Sequence, residues 1–176
     1  MGINFKRYAL IGMIGSVLST QSALVQAGQM TDGEIIAIYN QVNTFDIETA
    51  GLALKCSKSE EVLSLATMVQ NDHTGVRQMA ADLAKELGVP KSLPAGRENA
   101  TAEHANTLKM LNQKCNDGFD RAYLKYEIDF HTAAIDAVEK VLIPAANDEK
   151  LKSLMKKILP GFEHHLSETK RVYGSM

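Results

Sequence analysis

Four side chains with metal-binding chemistry stand where a helical chain would be expected to carry leucine: His73, His131, His165 and Glu48. Each falls in the apolar stripe of a different predicted helix. Imidazole nitrogens and a carboxylate suit zinc, copper or iron, and three histidines with one glutamate make an acceptable four-ligand set. Burying such groups is costly unless they are ligated or hydrogen-bonded. The pattern therefore predicts one transition-metal ion inside the bundle or, alternatively, a polar network that only sets helix register. Asp72 beside His73, and Glu127 one turn from His131, are the expected outer partners of the imidazoles. Asp120 and Tyr123 are placed to add hydrogen bonds. A solitary stripe histidine is ordinarily a satisfied core residue, and it is the recurrence on separate helices that raises a site.

The elements that must position these residues follow from apolar spacing of three and four, with no period-two run. The first helix is predicted from Thr31, whose hydroxyl with Glu34 makes a capping box, to Cys56. Its expected core residues are Ile35, Ile38, Val42, Phe45 and Leu52. The second begins after Ser59 and carries Val62, Leu65, Val69, His73, Val76, Ala80, Leu83 and Leu87 until Gly88 and Pro90 end it. A Pro/Gly/Ser connector over residues 91–96 and a shorter helix near residues 99–114 follow, with His104 on that crossover. The third long helix is expected from Phe119 to Leu142, with Pro144 and Asn147-Asp148 forming the next turn. The fourth runs from Asp148 to Tyr173 and is expected to kink at Pro160. The fold class is all-α: a ferritin-like four-helix bundle with a long, partly helical crossover between the second and third helices. At about 1.5 Å per residue, Glu48, His73, His131 and His165 lie at depths of roughly 14, 21, 18 and 12 Å. One shared layer is consistent with that spread.

The N-terminus reads as an export signal. Lys6 and Arg7 precede the apolar run of residues 9–18, and Val25-Gln26-Ala27 suits cleavage after Ala27. Residues 1–27 are thus a predicted signal peptide, and 28–176 a single domain. The apolar run is shorter than a membrane span, so no transmembrane segment is expected after cleavage. Loss of Lys6 and Arg7 moves the formal charge from −2 to −4 with no basic cluster, which excludes nucleic acid as a partner. A periplasmic or secreted address is oxidising, so Cys56 and Cys115 are expected to pair. A crossover spanning the bundle length would bring Cys115 back to the end where Cys56 closes the first helix.

Several chemistries are absent. Di-iron bundles use Glu-x-x-His pairs, whereas Gln70, Ile128 and Phe162 stand three residues before His73, His131 and His165. No nucleophile elbow, P-loop or dinucleotide fingerprint occurs. The methionines, Met68, Met79, Met110 and Met155 among them, are spaced for packing rather than copper carriage. An enzyme using histidine as general base has no support beyond the imidazole pKa. The rival to a metal protein is a non-catalytic module whose helix surfaces meet an envelope protein or a second copy.

The segments Phe45–Glu48 with Gly51, Met68-Val69-Gln70-Asn71-Asp72-His73, Gly88-Val89-Pro90 and Phe119-Asp120-Arg121-Ala122-Tyr123 resemble an exported bacterial family. Leu159-Pro160 with His165-Leu166 completes the likeness, which spans Thr31 to Tyr173. That family is catalogued as domain of unknown function 4142. The resemblance implies a ferritin-like bundle, periplasmic or outer-membrane associated, without an established activity. It places the family's second-helix Asp-His at Asp72 and His73, and its later histidines at His131 and His165. The cysteine pair lies outside that pattern.

Overall fold

The computed structural model describes residues 30–115 and 117–176. The predicted leader, residues 1–27, lies outside them. Helices α1 (Asp32–Cys56), α2 (Glu60–Leu87), α3 (Arg97–Asn112), α4 (Phe119–Ala137), α5 (Ile143–Ala145) and α6 (Glu149–Gly174) follow one another, with a π-helical turn at Val138–Leu142. Among the described residues there is no strand, and no helix is long and apolar enough to cross a membrane.

The helix ends form where the sequence signals them. Thr31 Oγ1 accepts from Glu34 N at 3.2 Å, while Glu34 Oε2 accepts from Thr31 N at 2.8 Å. This reciprocal pairing satisfies two amides that the first turn leaves without partners. Ser59 caps α2, and Gly88 ends it in the left-handed conformation, φ 64°. Asp148 Oδ1 accepts from Lys150 N and Leu151 N to start α6. One detail differs from the sequence reading. Pro144 lies within α5 instead of ending the helix, and it follows a widened turn in which Ile143 N–H reaches back to Val138. Such widening relaxes the ladder ahead of a residue that brings no N–H. Helix α6 is continuous through Pro160.

Three ties fix the topology. Cys56 and Cys115 are joined, with their Cα atoms 4.8 Å apart, so α3 carries the chain back along the bundle before α4 begins. Asp32 accepts from Asn147 N and Asp148 N, which places the α5–α6 turn beside the start of α1. At the opposite end, Arg171 near the end of α6 pairs with Glu61 near the start of α2. The bundle is ferritin-like, with the long crossover between α2 and α4.

Its core is divided. One apolar cluster, with Ile35, Ile36, Val76, Leu83, Leu151 and Met155, fills the end holding the α5–α6 turn. A second, with Ala50, Val62, Leu65, Val69, Leu111 and Leu124, fills the disulfide end. Between them in sequence on all four long helices lie buried polar residues: Asn43, Asp46 and Thr49, then His73, then Glu127 and His131, then His165 and Thr169.

Two outcomes test this architecture. The disulfide closes a segment whose ends are 59 residues apart, for which chain entropy gives about 4 kcal/mol at most. Unreduced protein should show no free thiol with a chromogenic reagent, and Cys56→Ser with Cys115→Ser should lower the unfolding free energy toward that amount. Glycine to alanine inside a helix normally stabilises, but a Cβ on Gly33 would be driven into the Pro90 carbonyl. Gly33→Ala should therefore destabilise, by about 1–3 kcal/mol in denaturant titration.

Candidate metal centre

Each histidine of the layer is held from outside by an oxygen, and these outer bonds decide what faces inward. Asn43 Nδ2 donates to the Tyr39 carbonyl at 2.7 Å, which orients the amide so that Oδ1 meets His73 Nδ1 at 2.8 Å. His73 Nδ1 must then carry the hydrogen. His131 Nδ1 lies 3.1 Å from the Glu127 carbonyl, one turn back on α4, and donates to it. His165 Nε2 donates to Asp72 Oδ2 at 2.9 Å. For neutral imidazoles, the remaining nitrogens bear lone pairs. Those are His73 Nε2, His131 Nε2 and His165 Nδ1.

The bare nitrogens converge on a carboxylate. Asp46 Oδ2 lies 2.8 Å from His73 Nε2 and 3.3 Å from His131 Nε2, and His73 Nε2 lies 3.2 Å from His165 Nδ1. Ligating nitrogens of the three histidines all fall within 4.8 Å of one another. Ligands about 2.0–2.1 Å from a tetrahedral ion are separated from each other by roughly 3.3 Å. The inward distances are close to the edges of such a coordination sphere. His131 Nε2 has no hydrogen-bond partner. The four groups are at most 2 % exposed. With the imidazoles neutral, these lone pairs and the carboxylate, shut away from water, repel one another unless a proton or a metal ion lies among them. The residues present fit a metal ion with three nitrogen ligands and one oxygen ligand.

Burial pushes the Asp46 carboxyl up, but positive charge on the facing His73 and His131, when they are protonated, and hydrogen bonds from His73 and Glu127 more than reverse this and hold it below the usual carboxylate range. Burial lowers His131 to about 4, against the pull of Asp46. It also lowers His165, with Asp72 opposing. Glu127, wholly buried and beside Asp46, is raised well above the ordinary value, so it is a neutral acid. Its Oε1 meets the Thr49 hydroxyl at 3.0 Å. The Phe162 ring stacks on His73, centroids 4.8 Å apart, and fixes the plane of that imidazole.

The sequence-predicted ligands are thus brought together in three cases of four. Glu48 is not among them: its side chain is 48 % exposed and accepts from His104 Nε2 at 2.7 Å. The first helix instead contributes Asp46. The cause is a phase error, because α1 is covered on two sides. Phe45 and Glu48 face the crossover helix, where Phe45 stacks on His104 with centroids 4.1 Å apart. The bundle-facing ladder is Ile35, Tyr39, Val42, Asn43, Asp46, Thr49, Ala50 and Ala53, all buried. Asn43 and Asp46 three residues apart between aliphatic and alanine positions were the available signal. Of the expected outer partners, Asp72 binds His165 rather than its neighbour His73, and Glu127 serves His131 through its carbonyl, with its carboxyl 3.4 Å away. Asp120 Oδ1 and the buried Tyr123 hydroxyl have no hydrogen-bond partner, so neither supports an imidazole.

The shifts carry a pH dependence for the metal-free protein. Folded His131 takes a proton only near pH 4, whereas the unfolded chain takes it near 6.5. The unfolded state binds more protons in that window, so this contribution is full above pH 6.5 and drains as pH falls to 4, on the order of 3 kcal/mol. His165 has the same sign. Glu127 has the opposite sign: it keeps its proton above 4.5 when folded, so its contribution is lost as pH rises through its folded pKa. Above pH 4.5, while it stays protonated, it works against the imidazole contributions. Urea denaturation in chelator should show stability falling from pH 6.5 to 4, more shallowly in His131→Gln and more steeply in Glu127→Gln. A profile unchanged by both substitutions would contradict this assignment.

A solved structure with the same fold is the crystal structure of a DUF305 fragment from Deinococcus radiodurans, at 18 % identity and a TM-score of 0.67. The alignment covers 85 % of this chain and 98 % of that one, and at such identity it speaks for the fold alone. Comparison with curated proteins returned no match. The sequence family is clearer, because one family model spans both apolar clusters and the polar layer between them. With residues 18–172 matched, the chain belongs to the family described as domain of unknown function (DUF4142).

Proposed function

We propose that this chain is an exported metal-binding bundle that holds one transition-metal ion through His73, His131, His165 and Asp46. The observation that carries the reading is the inward convergence of three buried imidazole nitrogens and the Asp46 carboxylate at 2.8–3.3 Å contacts. Three imidazoles and one carboxylate suit zinc, copper or iron. Four protein ligands buried on every side leave no coordination position for a substrate, which is the pattern of holding sites rather than catalytic ones. The role that follows is metal handling or stress protection in the periplasm or outside the cell, after removal of residues 1–27. An envelope protein or a second copy of the chain is the partner such an address offers. The disulfide supports an oxidising compartment.

The test is elemental mass spectrometry on untagged mature protein, followed by titration of the stripped protein with zinc, copper and iron. One equivalent per chain is expected. At a metal concentration about a hundredfold above Kd, stability should rise by about 2.7 kcal/mol. Asp46→Ala and His73→Ala should each weaken binding more than about a hundredfold, since each removes a ligand, a larger loss than the 10–100-fold typical of an outer partner. Glu48→Gln should leave it unchanged. Uptake below a tenth of an equivalent, with a melting temperature indifferent to chelator, would leave the polar layer as a device for helix register.

A further inference from the structure

We propose that Asp72 is the loading gate of the metal centre, the carboxylate that takes a cation from the seam between α2 and α6 and passes it to His165. The inference rests on the metal reading above and concerns how the ion arrives. Of the three outer hydrogen bonds, two end on wholly buried residues, Asn43 and Glu127. The third ends on Asp72, whose side chain is 58 % exposed while His165 is 1 % exposed. Among the described residues, that single bond joins the centre to solvent.

The seam is built to bring cations to that bond. Helix α3 packs on α1 and α4, whereas between α2 and α6 there is an open cleft of about 350 Å³. Met68, His164, Glu61 and Glu168 line it together with Glu60. Arg171 engages Glu61 and Glu168, so carboxylates still outnumber the cation. The cleft therefore offers carboxylate, thioether and imidazole groups, with Met68 one helical turn from Asp72 and His164 next in sequence to His165.

A cation bound by Asp72 competes with the hydrogen bond that holds the His165 ring. Once that bond breaks, the ring is free to turn about its Cβ–Cγ bond and present a nitrogen to the ion. Turning back brings the ion to His73 Nε2, which lies 3.2 Å from His165 Nδ1 in the closed arrangement. Re-forming the Asp72 bond locks the ring. The carboxylate lowers the barrier in both directions, so it governs exchange more than final affinity.

Cobalt(II) is the probe, because its visible bands report both coordination geometry and time course. Stripped protein is mixed with Co²⁺ in a stopped-flow instrument, and release is followed by capture with excess EDTA. Asp72→Asn keeps an acceptor for His165 but removes the charge. It should reach the wild-type final spectrum, with loading and release each slowed about tenfold, the lower end of what a focused charge does to cation association. Glu48→Gln, which alters an exposed carboxylate facing the crossover, should load at the wild-type rate. Wild-type loading in Asp72→Asn, faster release alone, or equal slowing in Glu48→Gln would overturn the gate while leaving the centre intact. Wild-type protein that develops no cobalt bands would overturn the centre and the gate together.

Discussion

The structure is organised around one unfavourable act, the burial of four electron-pair donors that face each other at the middle of the bundle. Asp46, His73, His131 and His165 come from four different helices, so no single helix can relieve the conflict by local adjustment. Each imidazole is oriented by one outer oxygen, and those oxygens come from an amide, a backbone carbonyl and a carboxylate. Fixing the outer nitrogen as donor forces the inner nitrogen to be an acceptor. The tautomers are therefore a consequence of the fold, and with them the need for a positive charge at the centre. The apolar clusters on either side bury the layer from both ends of the bundle.

How far the sequence exposes this arrangement depends on how each helix is covered. Helices α2, α4 and α6 have one broad core face, and His73, His131 and His165 fall on the apolar spacing that marks it. Their ends are equally legible, since Thr31, Ser59, Gly88 and Asp148 act through local hydrogen bonds or a left-handed turn. The cysteine pairing follows from topology, because only a crossover running the bundle length returns Cys115 to Cys56. Helix α1 is different. It buries one side in the bundle and another under α3, where Gln41 donates to Thr101 and accepts from Arg97. With apolar residues on both sides, periodicity does not specify which stripe faces the centre, and Glu48 stands for Asp46 by a turn of about 200°. The widened turn before Pro144 was hidden for another reason: a change in hydrogen-bond register leaves no mark on the apolar pattern.

The crossover has a second consequence. By packing on α1 and α4 it shields the flank from which Asp46 comes, and the Glu48–His104 contact belongs to that cover rather than to the centre. The disulfide clips the far end of the cover to the close of α1. Shielding on that flank leaves the unequal exposure of the outer partners as the main asymmetry of the site. Asn43 and Glu127 are sealed, and Asp72 is not.

That asymmetry bears on what kind of metal protein the geometry permits. A catalytic ion needs a coordination position open to substrate, and here the inward positions are filled by protein groups in contact with one another. A carrier that must surrender its ion quickly would be expected to expose more than one ligand. A site with three sealed ligands and one hinged on a solvent-facing carboxylate lies between these cases. On the proposed reading, its equilibrium preference would be set by three imidazoles and a carboxylate held at fixed separations, and its exchange rate by a single hydrogen bond. Holding and release would then fall to different residues, so that one could vary without the other.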